Sequence, residues 1–311
     1  MMKQLKFTPV LILSIFIFAQ INYSQVDYSV QLKVGLEYLK AGNFQSAYKS
    51  FKEILDKDSP NDQAQRGLAI ALIGLDKFPE ASREIAKLLV RSPKDINLLE
   101  MAARTFWQQK RLVEAEIVLK RRLDLNAENS ELWALYGDVL DAQKKTDQAI
   151  PAYQNAVSLN PDSITLRYAL GSLFWKAIRY DDAEKIFLDI LKRQPNEPRA
   201  SFNLGDIYLT NGEATKAVPL LKVAVAEFPN EFDTRFALGR AYLATNQTDL
   251  AITEFESAIK IDNQISEGYF YLGRALQRAG RKEEAKKAVV KAQELQKQKL
   301  ASESLELRKP D

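Results

Sequence analysis

The sequence of 311 residues contains no cysteine and no histidine. Disulfides, thiol nucleophiles and thiolate or imidazole metal ligands are therefore excluded by composition. The lack of cysteine also suits an oxidising compartment. Charge of one sign is missing too: 44 Lys and Arg face 41 Asp and Glu, for a net +3. Two of those positive charges, Lys3 and Lys6, stand at the N-terminus. The remainder is close to neutral, which argues against a protein that tracks nucleic-acid phosphates. No glycine-rich phosphate loop and no metal-binding motif occurs. The ten-residue apolar run at 10–19 (VLILSIFIFA) falls short of the ~20 residues that a spanning helix requires.

What the chain does have is a period. Ala47, Ala81, Ala115, Ala149, Ala183, Ala217, Ala251 and Ala285 recur every 34 residues without an insertion or deletion. With this alanine numbered position 20, units begin at 28, 62, 96, 130, 164, 198, 232 and 266 and end at 299. Position 8 is always small: Gly35, Ala69, Ala103, Gly137, Gly171, Gly205, Gly239 and Gly273. Position 24 is always large and apolar: Phe51, Ile85, Leu119, Tyr153, Phe187, Leu221, Phe255 and Val289. Position 32 is proline in Pro93, Pro161, Pro195 and Pro229. A fixed period of this length signals stacked units that bury their core against neighbours.

This pattern resembles the tetratricopeptide repeat, a 34-residue helix–turn–helix unit. Unit four, with Trp133, Tyr136, Gly137, Leu140, Ala149, Tyr153, Ala156 and Pro161, matches nearly every family position. The resemblance implies an all-α, right-handed superhelical solenoid of eight repeats. It implies little about function, since one fold hosts many roles.

Within a unit, helix A is predicted from about position 2 to 14 and helix B from about 18 to 31. Glycine inside a helix costs roughly 0.5–1 kcal/mol against alanine. Its recurrence at position 8 predicts a close helix–helix approach, with the position-20 alanine as the opposing small surface. Gly42, Gly212 and Gly280 at position 15 suit a helix C-terminus, and Asn246 is a fitting substitute there. Pro79 falls near the first turn of its helix, where proline is tolerated. Pro151 and Pro219, deeper at position 22, are expected to kink or delay helix B. Units one to three depart most from the pattern, and unit three has Arg122 at position 27 and Ala127 at position 32.

The two ends read differently. Residues 1–24 have the build of a secretory signal: Lys3 and Lys6, then the apolar run, with cleavage points after Ala19 or Ser24. The alternative is an uncleaved N-terminal anchor, the one route by which this chain would touch a membrane. Either way the repeats are expected outside the cytoplasm, periplasmic or secreted. At the other end, residues 300–311 read as a polar extension of the last helix and a tail.

In the family, helix A positions 2, 5, 9, 12 and 13 line the groove that takes extended peptides or partner helices. Carried onto this chain, position 5 gives Tyr168, Phe202, Phe236 and Phe270 in successive units. Position 9 gives Arg240 and Arg274, position 12 Trp175, position 13 Arg278 and position 2 Arg199. Exposed aromatics beside arginines make binding hot spots. Two readings stand: an aromatic floor with a basic end formed by Arg240, Arg274 and Arg278, or a row of large residues half-buried beside their neighbours. The family's chaperone-tail clamp, which needs Lys at position 5 and Asn at position 9 of the first unit, meets Leu32 and Leu36 here. Asn203, at position 6, stands without such partners.

The expected function is a non-catalytic protein-interaction scaffold of the cell envelope, with a protein partner, no nucleic acid and no cofactor or metal. A carbohydrate-binding groove is the alternative. A hydrolase using carboxylates such as Asp138, Asp141 and Asp206 is the third reading.

Overall fold

The computed structural model describes residues 28–57 and 60–306, and the expected signal at 1–24 lies outside the described residues. All regular structure among them is helical. Each repeat contributes two helices. Units one to three form α1 (Ser29–Lys40), α2 (Phe44–Lys57), α3 (Asp62–Gly74), α4 (Phe78–Arg91), α5 (Ile96–Gln108) and α6 (Leu112–Leu125). Units four and five form α7 (Ser130–Ala142), α8 (Thr146–Leu159), α9 (Ile164–Lys176) and α10 (Tyr180–Arg193). Units six and seven form α11 (Pro198–Thr210), α12 (Ala214–Glu227), α13 (Phe232–Ala244) and α14 (Thr248–Ile261). Unit eight forms α15 (Ser266–Arg278) and the long α16 (Lys282–Glu306). The chain divides into two compact bodies, one ending at Leu125 and one beginning at Asn126. The boundary follows the helix that carries Arg122, the irregular position-27 residue, which is buried.

Helices start about one residue earlier than the spacing predicts, and a column of caps supports the first helices of units two to six. Position 34 of the preceding unit supplies an N-cap: Asn61, Asp95, Asn129, Ser163 and Glu197 each accept from a backbone N–H in the first turn that follows. Such caps satisfy donors that the helix itself leaves unpaired. Pro151 and Pro219 sit inside α8 and α12, which begin at the same position 17 as the other second helices. The expected delay is therefore absent. Both prolines lie on exposed faces, so the ring meets solvent.

The glycine at position 8 answers first to a different residue than expected. A Cβ on Gly171 would stand 2.8 Å from Phe187, one on Gly137 2.5 Å from Tyr153, and one on Gly239 2.6 Å from Phe255. The space the glycine leaves is filled first by the position-24 side chain of helix B, while the position-20 alanine faces the glycine through its carbonyl, 3.5 Å away at Ala149 and 3.3 Å at Ala285. Where position 24 is aromatic, position 8 is glycine; where position 8 is alanine, its partners Ile85 and Leu119 are aliphatic. The alanines at position 20 form the buried seam itself: seven are fully buried and Ala285 nearly so.

The helix-to-helix turn is the same in all eight units. Position 15 takes the left-handed conformation as Gly42, Gly212, Gly280 and Asn246, and also as Asp76, Lys110, Lys144 and Ile178. In unit five the Ile178 N–H donates to the Trp175 carbonyl at 3.0 Å and the Arg179 N–H to the Phe174 carbonyl at 2.8 Å. That pair of bonds closes the helix end and holds the turn.

Ile178 is the strained member, a β-branched residue at φ 60° with 72% of its surface exposed. Ile178→Gly is expected to raise stability by about 1 kcal/mol, because glycine meets no Cβ clash there. Ala183→Leu is expected to lower it by about 1–3 kcal/mol by overpacking the seam. Thermal melts of the two variants check both, and an unchanged Ala183→Leu melt would refute the packing assignment.

Candidate functional site

The candidate residues of units five to eight fall on the first helices α9, α11, α13 and α15, all in the second compact body. Their positions recur at helical spacing, so each helix turns the same edge the same way. The four aromatics do not share one environment. Tyr168 is half-buried, its ring 6.0 Å from Phe187 and its hydroxyl accepting from Asn203 Nδ2 at 3.1 Å. Phe202 is half-buried against the core. Phe236 lies 5.4 Å from Phe232, 5.8 Å from Phe255 and 5.2 Å from Tyr271. Only Phe270, at 48%, is freely exposed. Of the two readings, half-burial therefore describes three of the four rings.

The neighbour responsible is position 6 of the following unit. Asn203 meets Tyr168, and Tyr271 meets Phe236. Tyr271 was not singled out by sequence; its signal was its adjacency to Phe270 in a register where position 6 is otherwise small or polar in units five to seven.

The cations are also mostly engaged. Arg199 is exposed, with its guanidinium 6.0 Å from the Tyr168 ring. Arg240 lies 3.7 Å from Asp206 and stands over the rings of Phe236 and Tyr271. Trp175 Nε1 donates to the same Asp206 carboxylate at 3.2 Å. Arg278 donates to the Leu243 carbonyl at 2.7 Å and to Asn246 at 3.3 Å. Arg274 is exposed, 5.3 Å from the Tyr271 ring, with no carboxylate in ion-pair contact among the described residues. Arg274 and Arg278 border a hollow of about 620 Å³ that also includes Leu243, Gly273, Lys282, Lys286 and Val289. The three arginines therefore do not act alike: Arg240 is neutralised and the other two edge open space.

The carboxylates considered for catalysis are bound into the framework. Asp138 accepts from the Tyr153 hydroxyl at 2.5 Å. Loss of hydration raises the Asp138 pKa despite that bond, and repulsion from Asp141 adds to the rise. Asp141 accepts from Thr146 at 3.0 Å and pairs with Lys176 at 2.8 Å. Among the described residues no group of His, Cys, Asp and Glu side chains forms a metal-binding cluster. No helix among them is long and apolar enough to cross a membrane.

Family models described as tetratricopeptide repeat match residues 38–104 and 208–268, 168–232, and 266–299, and one described as TPR repeat matches 137–177. Together these take in more than half of the chain. Human tetratricopeptide repeat protein 7A is 23% identical over 212 residues, 65% of this chain. The match spans only 24% of that relative, about a quarter of its length. The type IV pilus assembly protein PilF of Pseudomonas aeruginosa is 24% identical over 176 residues, 56% of this chain and 69% of PilF. Among solved structures, a tetratricopeptide repeat protein from Parabacteroides merdae aligns with a TM-score of 0.55 and 19% identity. That alignment covers 80% of this chain and 98% of the other.

Asp138→Asn keeps an acceptor for Tyr153 and removes the charge. A carboxylate whose folded pKa is raised weakens the folded state at neutral pH. It regains that stability as pH falls through the folded value towards the unfolded one. The variant is therefore expected to melt at or above the wild-type temperature at pH 7. The wild type should gain on it as pH falls into the ordinary aspartate range. A variant clearly less stable at pH 7 would contradict this assignment.

Proposed function

The chain belongs to the tetratricopeptide repeat family, and on that footing we propose that it is a non-catalytic scaffold of the cell envelope. It binds an extended peptide or a partner helix along the first helices of units five to eight. One observation carries the reading: Tyr168, Phe202 and Phe236 are fixed by packing yet stay partly exposed, with the exposed Arg199 guanidinium 6.0 Å from the Tyr168 ring and Thr210 exposed at the end of α11. Rigid aromatics rimmed by polar groups bind with little loss of side-chain freedom.

The envelope location rests on the basic start and apolar run of residues 1–24. It gains support from PilF, a relative whose name places it in type IV pilus assembly. Contact with a membrane would run through that segment if it stays attached. Catalysis finds no support in the carboxylates, since Asp138, Asp141 and Asp206 each hold a neighbouring side chain in place. An open face also excludes little water, which carboxylate chemistry needs.

A photo-crosslinking residue at Arg199 or Thr210 in the full chain is expected to trap a protein partner in envelope preparations. The same residue at Leu188, exposed on a second helix, should not. Crosslinks of equal yield from all three positions, or from Leu188 alone, would overturn the assignment of this face. Export is checked on the same cells: the repeats should be reached by protease after outer-layer permeabilisation, with chains beginning at Gln25 if the segment is cleaved.

A further inference from the structure

Repeat register identifies which surface of a unit its successor covers. Over unit seven that cover is α15. Tyr271 of α15 lies 5.2 Å from Phe236 and 5.9 Å from Phe255, beneath the Arg240 guanidinium at 5.9 Å. Gly268 of α15 lies so close to Ile259 and Phe232 that a Cβ there would stand 3.1 and 3.2 Å away. The seat of α15 is therefore the groove between α13 and α14, built from positions 1, 5, 9, 24 and 28.

Unit eight presents the same positions with no described helix packed over them. Phe270 takes the place of Phe236 and is exposed; Arg274 takes that of Arg240, without its Asp206. Position 21 is nearly fully buried as Ile150 and Ile252 but stands exposed as Lys286. Two hollows, of about 620 and 290 Å³, meet at Val289 and follow this line between α15 and α16. Their floor is apolar, from Phe270, Val289 and Ala292. One end is edged by Glu267 and the other by Arg274, Arg278, Lys282 and Lys286. No ion pair ties Arg274, Lys282 or Lys286 to a carboxylate among the described residues.

We propose that the groove between α15 and α16 docks an amphipathic helix of a partner protein, acidic in its C-terminal half, seated as α15 is seated on unit seven. Charge decides the occupant. A helix laid parallel to α15 brings its positive N-terminal end to Glu267 and its negative C-terminal end to the four cations. Acidic side chains in its last turns meet the same cations at close range, where complementary charge sets specificity. A second copy offering α1 is disfavoured, because α1 carries Lys33 and Lys40 against the single acid Glu37. The surface differs from the side face above, since Lys282, Lys286 and Val289 all lie on α16.

The test uses a stapled helical peptide copying residues 266–279 with Arg274→Glu and Arg278→Glu, and a control with both arginines kept. By fluorescence anisotropy the full chain is expected to bind the acidic peptide at least about tenfold more tightly than the control. Lys282→Glu and Lys286→Glu together should lower that affinity by tenfold or more with an unchanged melt, and Phe270→Glu, at an exposed ring, should do the same through the floor. Equal binding of both peptides, indifference to the lysine reversals, or no saturable binding would overturn the proposal. So would self-association in sedimentation that Phe270→Glu abolishes, since a second copy would then be the occupant. Failure of the Arg199 and Thr210 crosslinks leaves this outcome untouched, because the peptide reads α16.

Discussion

Coverage of each unit by the next is the constraint on which the structure depends. A helix pair with apolar residues on two sides has no core of its own, so burial comes from its neighbours. Position 3 shows it: Ala64, Leu98 and Ala200 are fully buried, whereas Val30, in the first unit, is 67% exposed. Position 10 behaves the same way, buried as Ala71, Ile207, Ala241 and Ala275 but exposed as Glu37. The final unit shows the opposite face, where Phe270 lacks the cover that Tyr271 gives Phe236. Polarity and exposure at a given position thus follow from place in the series as much as from residue type.

Two local devices keep the series in register. The first is the volume match between positions 8 and 24, in which a ring from helix B occupies the place of a missing Cβ on helix A. The second is the eightfold left-handed turn at position 15, closed by the same pair of backbone bonds each time. Those bonds satisfy carbonyls that the helix end would otherwise leave open. They hold the backbone left-handed even at Ile178, where local preference opposes it. The turn is therefore imposed by the packing of the two helices, and glycine there is a relief of strain and not its origin.

The period, the helical class and the buried small positions were legible because each rests on steric size repeated at fixed spacing. Gly42, Gly212, Gly280 and Asn246 announced the turn. Asp76, Lys110, Lys144 and Ile178 did not, since nothing in their chemistry requests a positive φ. That Phe187 fills the space at Gly171 was not legible, because sequence shows that space is needed without showing which side chain enters it. The caps at position 34 vary among Asn, Asp, Ser and Glu, so they form a column only in function. The fate of Tyr168 and Phe236 was left open because position 6 of the following unit, Asn203 and Tyr271, contributes to their cover.

The same dependence separates the polar residues that serve the fold from those that do not. Asp206 is shared by Trp175 of the preceding unit and Arg240 of the following one, and Asp141 is held by Lys176 of the following unit. Such bonds cross from unit to unit, so they fix spacing. Along position 9 Asp206 answers Arg240, whereas Arg274 meets no carboxylate among the described residues. A side chain without its register partner is therefore informative only at the end of the series. There the lack reflects the position of the unit, and its surface keeps the shape and charge that an inner unit would present to a neighbour.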